Sequence, residues 1–216
     1  GCHPPSGCRD NRRVPRRRAR LIGFPRKETR MKPFYCQLDY PDLPYPFHGD
    51  GRTVANSGCG VCCASMLIER LPGISFPPEE AVRFARRCGA RDRFGTNFYI
   101  LGGALAGRFD LKMTCTEDLD EVLALMRADP SAKTVANTRG DREGYVGLFS
   151  DSGHYILLER FQDDQFRVLD PMYRPGRYDI PGRAGKVRME GCAAWCDCEL
   201  LRPDCFERPY FVFQIK

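Results

Sequence analysis

"ANSGCGVCCASMLIERL", residues 55–71, places three of the chain's twelve cysteines within five positions. After Gly58 and Gly60, apolar Val61, Ala64, Met66, Leu67, Ile68 and Leu71 recur at helical spacing with few charges between them. The pattern predicts a buried helix that stops at Pro72-Gly73, with Cys59 at its mouth. Four roles are open to Cys59: nucleophile, metal ligand, half of a disulfide, or small buried hydrophobe. A helix N-terminus favours the first, because its unpaired N–H groups and positive dipole end stabilise a thiolate. The backbone N–H of Cys59 would also face an oxyanion formed there. Cys62 and Cys63 lie one turn further in and read as inert buried side chains.

Outward from this helix the pattern stays legible. "FYCQLDYPDLPYPFHGD" (34–50) is rich in Pro, aromatics and Asp, and predicts an extended or looping segment. "FPPEEAVRFARRCGA" (76–90) has Pro and Glu at its start and Gly89 at its end, as a second helix should. A third, short helix is expected over Phe98 to Ala106. "LKMTCT" (111–116) and "AKTVANT" (132–138) predict strands on either side of an amphipathic helix in "EDLDEVLALMRAD" (117–129). "GHYILLERFQDDQFRVLDP" (153–171) predicts a hairpin, and "YFVFQIK" (210–216) a closing strand. Helices first and a mostly antiparallel sheet after them make an α+β domain.

With 216 residues, 42% hydrophobic and 29% charged, the chain suits one soluble domain with a small appendage. Residues 1–30 hold nine Arg and one Lys against Asp10 and Glu28, an excess of eight positive charges in a chain of net +6. The remainder is therefore near neutral, and its composition gives no reason to expect a nucleic-acid partner. Like charges in a Pro-containing run bury no apolar surface, so 1–30 reads as a basic tail, disordered or not part of the native product. The folded domain then runs from 31 to 216. The longest weakly polar run, "FYILGGALAG", is too short to span a membrane. The tail lacks the apolar centre of a signal peptide, so a cytoplasmic protein with reduced thiols is expected.

A cysteine nucleophile needs a base, and the chain has three histidines. His3 falls in the tail and His48 in the Pro-rich segment, which leaves His154 at the start of a strand. If 162–164 form a three-residue loop, Phe161 opposes Gln165, Arg160 opposes Phe166, Glu159 opposes Arg167 and Leu158 opposes Val168. His154 then faces Met172, with Asp170 on the same face within diagonal reach. A two-residue Asp163-Asp164 turn would put them on opposite faces. Asp170 can orient an imidazole as a triad aspartate does, or can simply shape the turn before Pro171.

In their order, Gln37, Gly58-Cys59-Gly60, Gly153-His154-Tyr155 and Asp170-Pro171 resemble the papain-like cysteine peptidases of family 39, the group related to bacteriocin leader peptidases that cut after double glycine. The resemblance spans roughly residues 34–172, and departs from the usual pattern at Val61, where Pro often follows Gly-Cys-Gly. It implies a papain-like fold with Cys59 as nucleophile, His154 as base and then acid, Asp170 as orienting acid, and Gln37 as a side-chain donor to the oxyanion. The substrate would be a peptide or other amide, cleaved through an acyl-thioester, with no cofactor. Transfer of the acyl group to an amine, or peptide binding without cleavage, are the rival functions. Cys192, Cys196, Cys198 and Cys205 stand as C-x3-C-x-C-x6-C. They lack the paired knuckles of a strong zinc motif, and free thiols in a packed segment suit them better than metal or disulfides.

Overall fold

Residues 33–216 are described by the structure, a computed structural model; the basic tail and His3 lie outside them. The looping segment contains one turn of 3-10 helix, Gln37–Asp39, and leads to a short helix α1 (Val54–Ser57) and then α2 (Cys59–Ile68). Helix α3 (Pro78–Arg87) follows, with Pro at its first position, Glu79 and Glu80 in its first turn and Arg86 and Arg87 in its last, each sign complementing the helix dipole. A two-stranded hairpin, β1 (Arg91–Asp92) and β2 (Gly95–Thr96), precedes α4 (Phe98–Arg108), which Asn97 caps through its side chain. Then come β3 (Leu111–Thr116), α5 (Leu119–Ala128), β4 (Lys133–Thr138), β5 (His154–Gln162) and β6 (Gln165–Leu169). The chain ends through β7 (Val187–Glu190), β8 (Ala193–Asp197), α6 (Leu201–Asp204) and β9 (Tyr210–Ile215).

Seven of the strands form one sheet in the order β3-β9-β4-β5-β6-β8-β7, with every neighbouring pair antiparallel. Alternation along the strands builds two cores. Val135, Leu157, Leu169, Phe211 and Phe213 pack with α2, α3 and α4. Ala136, Ile156, Leu158, Val168 and Val212 pack with α5 and α6 on the other face. Both faces are covered, which is why β5 begins as a nearly unbroken apolar run. This is the expected α+β architecture, helices packed on an antiparallel sheet.

The tip of the hairpin differs from the expected three-residue loop. Asp163 and Asp164 both take left-handed φ, 51° and 56°, and form a two-residue turn that pairs Gln162 with Gln165 and Phe161 with Phe166. Asp tolerates this conformation, and the turn puts two aromatic rings opposite each other, their centroids 4.8 Å apart. Arg160 consequently opposes Arg167. A bulge between Leu158 and Arg160 absorbs one residue, and beyond it Leu158 faces Val168 as expected. His154 and Asp170 therefore keep the relation that the three-residue loop would have given them. Glu159, at the bulge, still bonds Arg167.

Candidate active site

Each glycine beside Cys59 has a steric reason. A Cβ on Gly58 would stand 2.4 Å from Val54 Cγ1, where α1 turns directly into α2. A Cβ on Gly60 would stand 2.6 Å from Thr96 Cβ, where β2 lies against the first turn of α2. The two absent side chains let α1 and β2 close around the N-terminus of α2. Cys59 is thus the first residue of that helix, half-buried at the wall of a cleft of about 710 Å³. The β1–β2 hairpin contributes Phe94 and Thr96 to the cleft, α4 contributes Tyr99, and the sheet contributes Asn137, His154 and Tyr155.

His154 is buried and shares a hydrogen bond with the Cys59 thiol. Its Nε2 lies 2.8 Å from Asp170 Oδ1, which leaves Nδ1 as the nitrogen for the sulfur. Burial alone would raise the thiol pKa. The hydrogen bond and charge of His154, with N–H groups of Tyr155 and Gly60, outweigh burial and bring Cys59 below its ordinary value. Burial likewise opposes a charged His154, but the bond and charge of Asp170 raise it to about 9. The groups hold one another in their ionised forms.

Asp170, 1% exposed, accepts four hydrogen bonds of 2.8 Å each. Oδ1 takes those of His154 and the Met172 N–H, and Oδ2 takes those of Arg177 Nε and the Tyr178 hydroxyl. The Met172 bond is the local turn expected before Pro171, so the turn and the orienting contact coexist in one carboxylate. Burial works against its charge, and His154 and Arg177 overcome that, lowering it to about 2. Arg177 also donates to the Phe149 carbonyl, and Tyr178 stacks on Tyr173 with ring centroids 6.0 Å apart. Neither Arg177 nor Tyr178 was singled out from the sequence. Both come from an irregular stretch after Asp170 that carries no periodic signal.

Gln37 is buried, not a solvated loop residue: its N–H bonds the Pro171 carbonyl at 2.7 Å and its Nε2 donates to the Ala55 carbonyl at 2.9 Å. It ties the segment after Asp170 to α1, and its Oε1 is buried with no partner among the described residues. Cys62 and Cys63 are fully buried, and burial raises both thiols well above their ordinary value. His48 sits in its loop with φ of 48°. Cys192 is exposed, while Cys196, Cys198 and Cys205 are buried; all four are free thiols. Among the described residues no three Cys, His, Asp or Glu side chains come together as a metal site. No helix among them is long and apolar enough to cross a membrane.

Among solved structures, a C39-like peptidase from Bacillus anthracis aligns with a TM-score of 0.52 at 11% identity, covering 86% of this chain and 96% of that one. The peptidase domain of Streptococcus ComA aligns with a TM-score of 0.48 at 12% identity, over 74% of this chain and 93% of that one. UfSP from C. elegans aligns with a TM-score of 0.42 at 16% identity, over 78% of this chain and 31% of that one. No family model matches the sequence, and no curated protein matches it.

Proposed function

We propose that this chain, which carries the papain-like fold of the C39-like peptidases, is a cysteine peptidase or related amide hydrolase with Cys59 as its nucleophile. The observation that carries this reading is the line Cys59, His154, Asp170 at the wall of an open cleft, with each group favouring the charge of the next. The Cys59 thiolate attacks an amide carbonyl, and the oxyanion is received by the Cys59 N–H at the mouth of α2. Gln37 supplies a second donor, the amide hydrogen that Ala55 does not take. His154 passes its Nδ1 proton to the leaving amine, and the acyl-thioester remains. His154, now neutral, takes a proton from water, which hydrolyses the acyl group and frees the thiolate. Asp170 keeps the ring oriented throughout, and its four hydrogen bonds keep Asp170 fixed.

Two measurements test the assignment. At mildly acidic pH, iodoacetamide should label Cys59 far faster than Cys62 or Cys63, since only a thiol held as thiolate reacts there. Against a library of peptides and simple amides, wild type should turn over substrate and Cys59→Ala should not. Equal labelling of the three thiols, or undiminished turnover by Cys59→Ala, rules the mechanism out. Retained peptide binding without turnover by wild type would identify a binding module instead.

A further inference from the structure

Cys59-Gly60-Val61-Cys62 is a C-x-x-C unit on the first turn of a ten-residue helix. Its two thiols sit in opposite environments: Cys59 opens on the cleft, and Cys62 is completely buried behind it. We propose that Cys59 and Cys62 are a redox pair, in which a hydroperoxide oxidises Cys59 and Cys62 resolves the product as a reversible disulfide.

Helix geometry supplies the reach. Residues three apart share a face, and the Cβ of the later one tilts toward the helix N-terminus, so Cys62 leans over the turn that Cys59 begins. Their Cα atoms are about 5 Å apart in a regular helix, inside the range of about 4.4–6.8 Å that disulfides occupy. Closing the remaining Cβ gap needs a small shift at Cys59, the terminal helical residue, between two glycines that carry no Cβ. Both thiols are free.

The chemistry follows from the site. The Cys59 thiolate attacks the hydroperoxide: an S–O bond forms, the O–O bond breaks, and the alkoxide that leaves takes the proton from His154. Sulfur is oxidised by two electrons and the peroxide is reduced, leaving Cys59 as a neutral sulfenic acid. Burial first, and then the negative charge of Cys59, keep Cys62 protonated; this step removes the charge and leaves the burial, so Cys62 reacts as the thiol. The Cys62 sulfur then attacks the Cys59 sulfur; the S–S bond forms, the S–O bond breaks, and hydroxide departs as water with the Cys62 proton. A second peroxide can no longer drive Cys59 to sulfinic acid, and a dithiol reductant restores it. No solvent path to Cys62 is needed, because its partner is on the same helical turn.

The test needs no substrate, so it stands apart from the peptidase assignment. The full chain is treated with a small excess of hydrogen peroxide, unfolded in guanidinium with iodoacetamide, reduced, and labelled with N-ethylmaleimide. Tandem mass spectrometry of the peptide spanning 53–70 should place the second label on Cys59 and Cys62 and the first on Cys63. Thiol titration before reduction should fall by two of the twelve, and dithiothreitol should restore both. Cys62→Ala should instead accumulate sulfinic acid at Cys59 that dithiothreitol does not reverse, while Cys63→Ala should still form the disulfide. Sulfinic acid at Cys59 in wild type beside a free Cys62, or a bond from Cys59 to Cys63 or Cys36, overturns the pair.

Discussion

His154 shows how one residue's surroundings can prescribe a pH profile. Two negative charges flank its ring, and in the proposed mechanism the ring must stay protonated until it gives a proton to the leaving amine. Cys59 gains reactivity as it loses its proton, which happens below the ordinary thiol range. His154 loses its own proton only near about 9. Turnover should therefore rise with pH through the Cys59 titration, hold a plateau, and fall as pH passes about 9. Asp170→Asn removes the charge that raises His154 and permits the wrong tautomer. The expected result is a kcat lower by about 10³–10⁴-fold and an alkaline limb moved to lower pH. A kcat profile of the variant against wild type checks both, and an unmoved alkaline limb would mean that Asp170 does not set the His154 charge. Tyr178→Phe, which removes one of four hydrogen bonds on Asp170, should give a smaller loss in the same direction.

At the scale of elements, the approach of β2 to α2 is the contact that shapes the cleft wall. Gly60→Ala would drive a methyl into Thr96, and overpacking of this kind costs about 1–3 kcal/mol. Chemical denaturation should show that loss, and Thr96→Gly added to it should recover part, because the clashing Cβ is gone. If the two losses simply add, the collision is not the cause. The same contact marks where sequence reading stops. Helices α2 to α5 and strands β3 to β6 and β9 were legible because each repeats an apolar pattern over five or more residues. The β1–β2 hairpin has two residues in each strand, α1 has four, and β7 is a half-exposed strand at the sheet edge, so none sustains a period. The bulge at Glu159 had no local signal either, since "FQDDQF" admits two- and three-residue loops alike. The positions of Cys59, His154 and Asp170 were readable from residue type and order. Arg177 and Tyr178 reach Asp170 through tertiary folding of an aperiodic stretch, which no spacing rule anticipates.

At the scale of the whole molecule, two largely buried carboxylates among the described residues, Glu159 and Asp170, join parts distant in sequence through charged partners. Arg70, just beyond α2, holds Glu159 at 2.6 Å, and Glu159 also bonds Arg167 on β6, so one carboxylate links the helical layer to the sheet. Asp170 does the same for β5 and the stretch after β6. Burial opposes both charges, but the arginines hold Glu159, and His154 with Arg177 hold Asp170, below the usual carboxylate range. A group with a lowered folded pKa stabilises the fold above its unfolded pKa and loses that contribution as pH falls through the folded value. Stability should therefore drop below about pH 4, as an unfolded chain with ordinary carboxylates binds protons first. His154 has the opposite sign. Its folded pKa is raised, so its contribution is full below about 6.5 and fades as pH rises through about 9. Asp204, which burial raises, also favours the acid side and blunts the acid limb without reversing it, being one group against two. Cys59, whose folded pKa is lowered, has the opposite sign to His154 and offsets its fade, so thermal melts across pH should climb from the acid side to a peak above about 4.5. Glu159→Gln should lower the peak, because Arg70 stays buried without its counter-charge, and should flatten the acid limb, because one titrating group is gone. A variant with a lower peak and an unchanged acid limb would show that Glu159 contributes by packing and hydrogen bonding, with no charge at stake.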